Sequence, residues 1–78
     1  MKVRFTESAA RDLALWKESN PAIVSRIRSL VESIQATPFT GIGKPEPLKH
    51  DLTGCWSRRI NREHRLVYRI ENGEVVVI

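Results

Sequence analysis

The chain opens with Lys2-Val3-Arg4-Phe5, an alternation of polar and apolar residues that predicts a short, half-buried strand. At Thr6 the period changes. Its hydroxyl can accept from a free first-turn N–H group and Glu7 suits the positive end of a helix dipole, so a helix is expected to start here. Ala9, Leu13 and Trp16 then fall on one face of it. Asn20-Pro21 breaks the pattern and begins a second helix, with Asn as N-cap and Pro at the first helical position, where a missing N–H costs nothing. Ile23, Ile27, Leu30 and Ile34, thickened by Val24 and Val31, form the clearest amphipathic stripe, opposite Arg26, Arg28, Ser29 and Glu32. Burying these aliphatic side chains at about 1.5–3 kcal/mol each would supply much of the hydrophobic stabilisation. The helix should end near Ala36 or Thr37, because Pro38 disfavours helical geometry in the residue before it.

Residues 38–47 contain Pro38, Gly41, Gly43, Pro45 and Pro47, a composition that excludes a regular helix and predicts a long irregular loop. Two prolines bracket Glu46, so its backbone is restrained on both sides. Such a carboxylate is either a positioned catalytic group or an ordinary turn residue. Beyond it, residues 55–60, 64–70 and 74–78 are strand-like, separated by Asn61-Arg62-Glu63 and by Glu71-Asn72-Gly73, a tight-turn signal. Alternation sets His64, Leu66, Tyr68 and Ile70 on one face and Arg65, Val67 and Arg69 on the other. In the preceding strand Ser57 and Arg59 share a face, opposite Trp56, Arg58 and Ile60, so a sheet can present Arg59 and Arg65 together while its other side packs on the helices. The register is not visible in the pattern. The expected fold is α+β, in the order β-α-α-β-β-β, one domain over residues 1–78, with a mostly antiparallel sheet and both helices on one face.

Composition narrows the function. At 78 residues and 41% hydrophobic, the chain supports one small core. A single cysteine, Cys55, cannot form an internal disulfide, and Met1-Lys2-Val3 enters a strand pattern and not a signal peptide, so a reduced, cytoplasmic setting is expected. Lys and Arg number 13 against 9 Asp and Glu, a net charge of +4. The excess is local: Lys44, Lys49, Arg58, Arg59, Arg62, Arg65 and Arg69 face only Glu46, Asp51 and Glu63 in the same segment. That distribution suits a polyanion, with Trp56 and Tyr68 as either stacking surfaces for RNA bases or core residues. No metal-ligand spacing is present and Gly41-Ile42-Gly43-Lys44 lacks the spacing of a phosphate loop, so no metal or nucleotide cofactor is expected.

Thr37-Pro38-Phe39, Gly41, Gly43-Lys44-Pro45-Glu46-Pro47-Leu48-Lys49-His50, Leu52, Gly54, Trp56-Ser57-Arg58-Arg59-Ile60 and His64-Arg65-Leu66-Val67-Tyr68 together closely resemble the YoeB (Txe) family of bacterial toxins, a branch of the RelE superfamily. The layout of the N-terminal strand and helices agrees too. The resemblance implies a ribosome-dependent messenger-RNA endonuclease, neutralised by an antitoxin of the YefM or Phd type whose acidic C-terminal segment wraps the toxin. It also implies homodimers, and complexes with antitoxin that act on operator DNA to repress their own operon.

Metal-free RNA cleavage needs a base for the ribose 2′-OH, positive charge for the transition state and an acid for the leaving 5′-oxygen. Glu46 can be the base, the role the family gives it, and burial beside the prolines would raise its pKa into a useful range. Arg65 can clamp the scissile phosphate through its planar fork, with Lys49 and Arg59 as further phosphate contacts and His50 at a loop end able to touch RNA. Against this, Lys49 and Arg59 could be solvated surface charges, and Arg65 could simply pair with Glu46 or Glu63. His64 reads as a core-edge histidine bonded to backbone, and Cys55 as packing. Family members continue their last strand beyond this point into a His-Tyr pair that supplies the acid and a substrate contact, whereas the sequence stops at Glu74-Val75-Val76-Val77-Ile78. The expectation is therefore weakened cutting, or a module that binds ribosome, RNA and antitoxin without cutting.

Overall fold

The computed structural model describes residues 1–78. Strand β1 (Lys2–Phe5) leads into helix α1 (Glu7–Ser19), whose N-cap Thr6 accepts from the Ala9 amide at 3.2 Å, as its sequence position predicts. Helix α2 (Pro21–Ala36) follows directly. Asn20 occupies the cap position expected of it, but its side chain makes no capping bond and its backbone carbonyl accepts from Ile23 instead. Thr37, held extended before Pro38, closes α2.

The remaining elements are β2 (Glu46–Pro47), a 3-10 turn (His50–Leu52), β3 (Trp56–Arg59), β4 (Arg65–Glu71) and β5 (Glu74–Val77). They form one five-stranded sheet in the order β1-β5-β4-β3-β2. Every pairing is antiparallel except β1 with β5. The α+β class, the helix bounds and the mostly antiparallel sheet agree with the sequence reading. One element differs: residues 38–47, expected to be loop throughout, end in strand β2. Two residues, one of them a proline, carry no alternation to detect; their strand character comes from pairing with Ser57 and Trp56.

Two turns fix the register that the pattern left open. Asn72 and Gly73 both have positive φ, at 51° and 75°, the backbone of a two-residue hairpin turn whose twist matches its strands. Between β3 and β4 the Asn61 side chain accepts from the amides of Glu63 and His64 at 2.9 and 2.8 Å, closing a turn that sets Arg59 opposite Arg65.

Both helices cover one face of the sheet. Leu30 and Ile34 from α2 and Tyr68 and Val75 from the strands are fully buried, joined by Ile23, Ile27, Leu66 and Val77. Val24 and Val31 stay half-buried at the margin of the stripe. No helix is long and apolar enough to cross a membrane.

Candidate active site

The other face of the sheet is open, and alternation assigns its residues: Glu46 on β2, Ser57 and Arg59 on β3, Arg65, Val67 and Arg69 on β4. Glu46 stands opposite Ser57, and Arg59 opposite Arg65. Arg65 connects them. Its Nε donates to Ser57 Oγ at 2.9 Å and its terminal Nη2 lies 3.5 Å from Glu46 Oε2. The sequence alternatives for Arg65 thus resolve toward Glu46 and not Glu63. Ser57 is 1% exposed, whereas the Glu46 side chain is 58% exposed. The burial expected around Glu46 is therefore absent, because its flanking prolines fix the backbone without covering the carboxylate.

Two arginines directly across an antiparallel pair repel each other. Arg59 is exposed and its side chain has no carboxylate or hydrogen-bond partner, while its backbone is pinned on both sides. Its N–H donates to the Gly43 carbonyl at 2.7 Å, and its carbonyl accepts from Arg26 of α2 at 3.0 Å. A second Arg26 bond reaches the Ile60 carbonyl at 3.3 Å. Lys49 and His50 lie on the loop between β2 and β3, both exposed, and no bond ties either to Glu46 or Arg65. The structure thus brings together Glu46, Arg65 and Arg59, and leaves Lys49 and His50 on the adjoining loop.

Several sequence expectations need correction. Arg58, counted in the basic patch, is fully buried: β3 alternation turns it toward the helices. Of the two readings of Trp56 and Tyr68, the core reading holds. Tyr68 is fully buried and donates to the Pro38 carbonyl at 2.6 Å, and Trp56, on the same side, packs against Phe39 with ring centroids 4.8 Å apart. His64 does sit at the core edge, but its ring meets Trp16 edge-on at 4.9 Å instead of bonding to backbone. Cys55 is buried and unpaired, as packing requires. Ser57 and Arg26 escaped the sequence reading. The face shared by Ser57 and Arg59 was the available signal for the first; for Arg26, placed on the outer side of its helix, there was none.

Among known proteins, residues 5–78 match the model of the YoeB-like toxin of bacterial type II toxin-antitoxin systems. The chain belongs to the YoeB toxin family. A YoeB toxin from Synechocystis is 47% identical over 78 residues, 100% of this chain and 91% of the relative. The solved YoeB/ParE toxin from Agrobacterium tumefaciens superposes with a TM-score of 0.97 at 44% identity, covering 100% of this chain and 93% of that one. The Staphylococcus aureus YoeB, solved in a heterotetrameric YoeB-YefM complex and as a dimer, gives 0.92 at 38% identity in each, over 99% of this chain and 90% of that one. YoeB membership carries the RelE-like fold and the role of toxin in a type II toxin-antitoxin system.

Proposed function

We propose that the chain is a ribosome-dependent messenger-RNA endoribonuclease that inhibits translation. The observation that carries this reading is the Glu46 carboxylate 3.5 Å from the Arg65 guanidinium, on an open face where Arg59 adds a second, unpaired cation. An open, cationic strand surface suits an extended polyanion better than a small metabolite, which calls for an enclosed pocket. Arg65 contacts Glu46 through one carboxylate oxygen, which leaves the other free to approach a ribose hydroxyl. Glu46 takes the 2′-OH proton as the 2′-oxygen bonds to phosphorus, and the bond to the 5′-oxygen breaks, that oxygen taking a proton from water to leave a 2′,3′-cyclic phosphate and a 5′-hydroxyl. Arg65 and Arg59 offset the charge that grows on the phosphoryl oxygens. Lys49 and His50, on the exposed loop, hold the RNA to either side.

Ribosome and A-site messenger RNA are accordingly the proposed targets, in the cytoplasm where they occur. An antitoxin of the YefM or Phd type is the proposed neutralising partner, as in the Staphylococcus aureus complex, with operator DNA reached through that complex and a homodimer as the free form. A second reading is favoured by one specific observation. The leaving oxygen needs an acid, and His64 lies on the covered side of the sheet against Trp16, away from Glu46. With no acid at that oxygen, the same surface would bind ribosome and antitoxin and cut slowly or not at all.

The test is primer extension on a defined messenger RNA incubated with ribosomes and the protein. New ends in the ribosomal A site that disappear with Glu46→Gln and with Arg65→Ala support the nuclease. Absence of new ends while the protein still co-sediments with ribosomes supports the binding module. Ends that persist in both variants remove Glu46 and Arg65 from the chemistry.

A further inference from the structure

The buried Arg58 is the least expected group in the molecule. Removing a guanidinium from water is costly and is normally offset by a carboxylate. None is present. Instead its five N–H groups are all taken up by neutral acceptors: Nε by Tyr68 Oη at 3.2 Å, Nη1 by Ser33 Oγ at 2.6 Å and the Ile42 carbonyl at 3.1 Å, Nη2 by the Thr37 and Thr40 carbonyls, each at 2.7 Å. Three of those acceptors are carbonyls of the loop between α2 and β2. A fourth loop carbonyl, that of Pro38, is held by the Tyr68 hydroxyl.

This loop does little to hold itself. Its internal backbone bonding is one long contact, Thr40 N–H to Thr37 carbonyl at 3.4 Å, supplemented by the Thr37 hydroxyl on the Thr40 carbonyl at 2.9 Å. The two glycines fit closely around the arginine. A Cβ on Gly41 would lie 2.5 Å from Ser33 Oγ and 3.1 Å from Arg58 Nη1, and one on Gly43 would lie 2.7 Å from Leu30 Cδ2 and 3.1 Å from Arg58 Cβ. Three residues after Gly43 the chain reaches Glu46, on a strand of two residues, too short to fix itself. Glu46 therefore takes its place from its pairing with Ser57, from the loop upstream and from the Leu48 N–H to Cys55 carbonyl bond downstream.

We infer that Arg58 is the positioning residue for Glu46: a buried cation that gathers the carbonyls of residues 37–42 and thereby sets the carboxylate beside Arg65. The catalytic part of this inference rests on the nuclease reading of Glu46; the structural part does not. Lysine keeps the charge but offers three donors on one nitrogen and no planar fork, so it cannot span acceptors on a helix, a strand and a loop.

The experiment compares wild type, Arg58→Lys and Tyr68→Phe by amide hydrogen exchange and by ribosome-dependent cutting. In Arg58→Lys the amides of Arg59 and Leu48, which report loop and β2 docking, exchange about tenfold faster or more, while those of Ile27, Leu30 and Val76 change by less than about threefold. The cutting rate constant falls by about tenfold or more with ribosome affinity held within about threefold, since Arg58 touches no RNA. Tyr68→Phe, which keeps the ring and removes one acceptor of Arg58 and the donor to Pro38, loosens the same two amides by a smaller factor. It decides the matter if Arg58→Lys does not fold. Unchanged Arg59 and Leu48 exchange in the folded variants overturns the inference, as does a loss of protection spread evenly through α2 and β5. If wild type cuts no RNA, only the nuclease reading fails, and the exchange comparison still decides what Arg58 does.

Discussion

The open face of the sheet has two ends, each carrying like charges directly across a strand pair. At one end Glu71 stands opposite Glu74, and each has its own arginine: Arg69 Nε lies 2.7 Å from Glu71, and Arg4 Nε 3.5 Å from Glu74. At the other end Arg59 stands opposite Arg65, with a single carboxylate, Glu46, that contacts Arg65 alone. The first end is neutralised pair by pair. The second keeps surplus positive charge and a carboxylate of limited engagement, a charge the fold leaves unbalanced and that a phosphate would meet under the proposed function. The contrast teaches that net charge alone locates nothing. What marks the site is the failure of local pairing at one end of a face that pairs its charges at the other.

Mutations at the two ends should therefore behave differently. Glu46→Gln has the largest expected effect, a loss of about 10²–10⁴ in the cutting rate, with urea unfolding changed by no more than about 0.5 kcal/mol; a large stability change instead would make Glu46 a structural residue. Arg65→Lys keeps the charge but loses the fork that spans Ser57 and phosphate, and single-turnover cutting should drop by about 10². Ser57→Ala frees the Arg65 Nε and should slow cutting by roughly tenfold, read as a change in rate constant with ribosome affinity intact. Equal loss of affinity would show that Ser57 serves binding and not orientation.

At the neutralised end the effect is smallest. The hydrogen bond from Arg69, then its charge, holds the Glu71 carboxyl below its ordinary value of 4.5. A depressed carboxyl contributes stability that is present above pH 4.5 and lost as pH falls through its lower folded value. Glu71→Gln should therefore leave cutting untouched and trim a small part of the acid-side stability change below pH 4.5, a difference that added salt removes because the pair is exposed. An effect of Glu71→Gln on cutting would break the distinction between the two ends.

Much of this architecture was legible from periodicity, because both helices bury a stripe and β3 and β4 alternate. Strand alternation even separated Arg58 from Arg59. It could not say that Arg58 would be buried, since that depends on carbonyls contributed by residues 37–42, whose conformation no local pattern specifies. The same limit explains β2, a strand only by virtue of its neighbour, and the exposure of Glu46, which prolines restrain without enclosing. His64 was correctly placed at the core edge, but its partner Trp16 comes from another element and is invisible in the spacing around either residue. Resemblance to a family named the candidate residues; the structure supplied the register that brings Glu46, Arg59 and Arg65 together.

Strand β5 lies between β1 and β4, and β1 joins the sheet through β5 alone. The two strands are far apart in sequence, since residues 2–5 find their only sheet partner in residues 74–77. Closure of such a long sequence separation is slow compared with local hairpin formation. The contact that seats β1 is thus the most non-local pairing of the sheet, and the edge of the core beneath β1 depends on it.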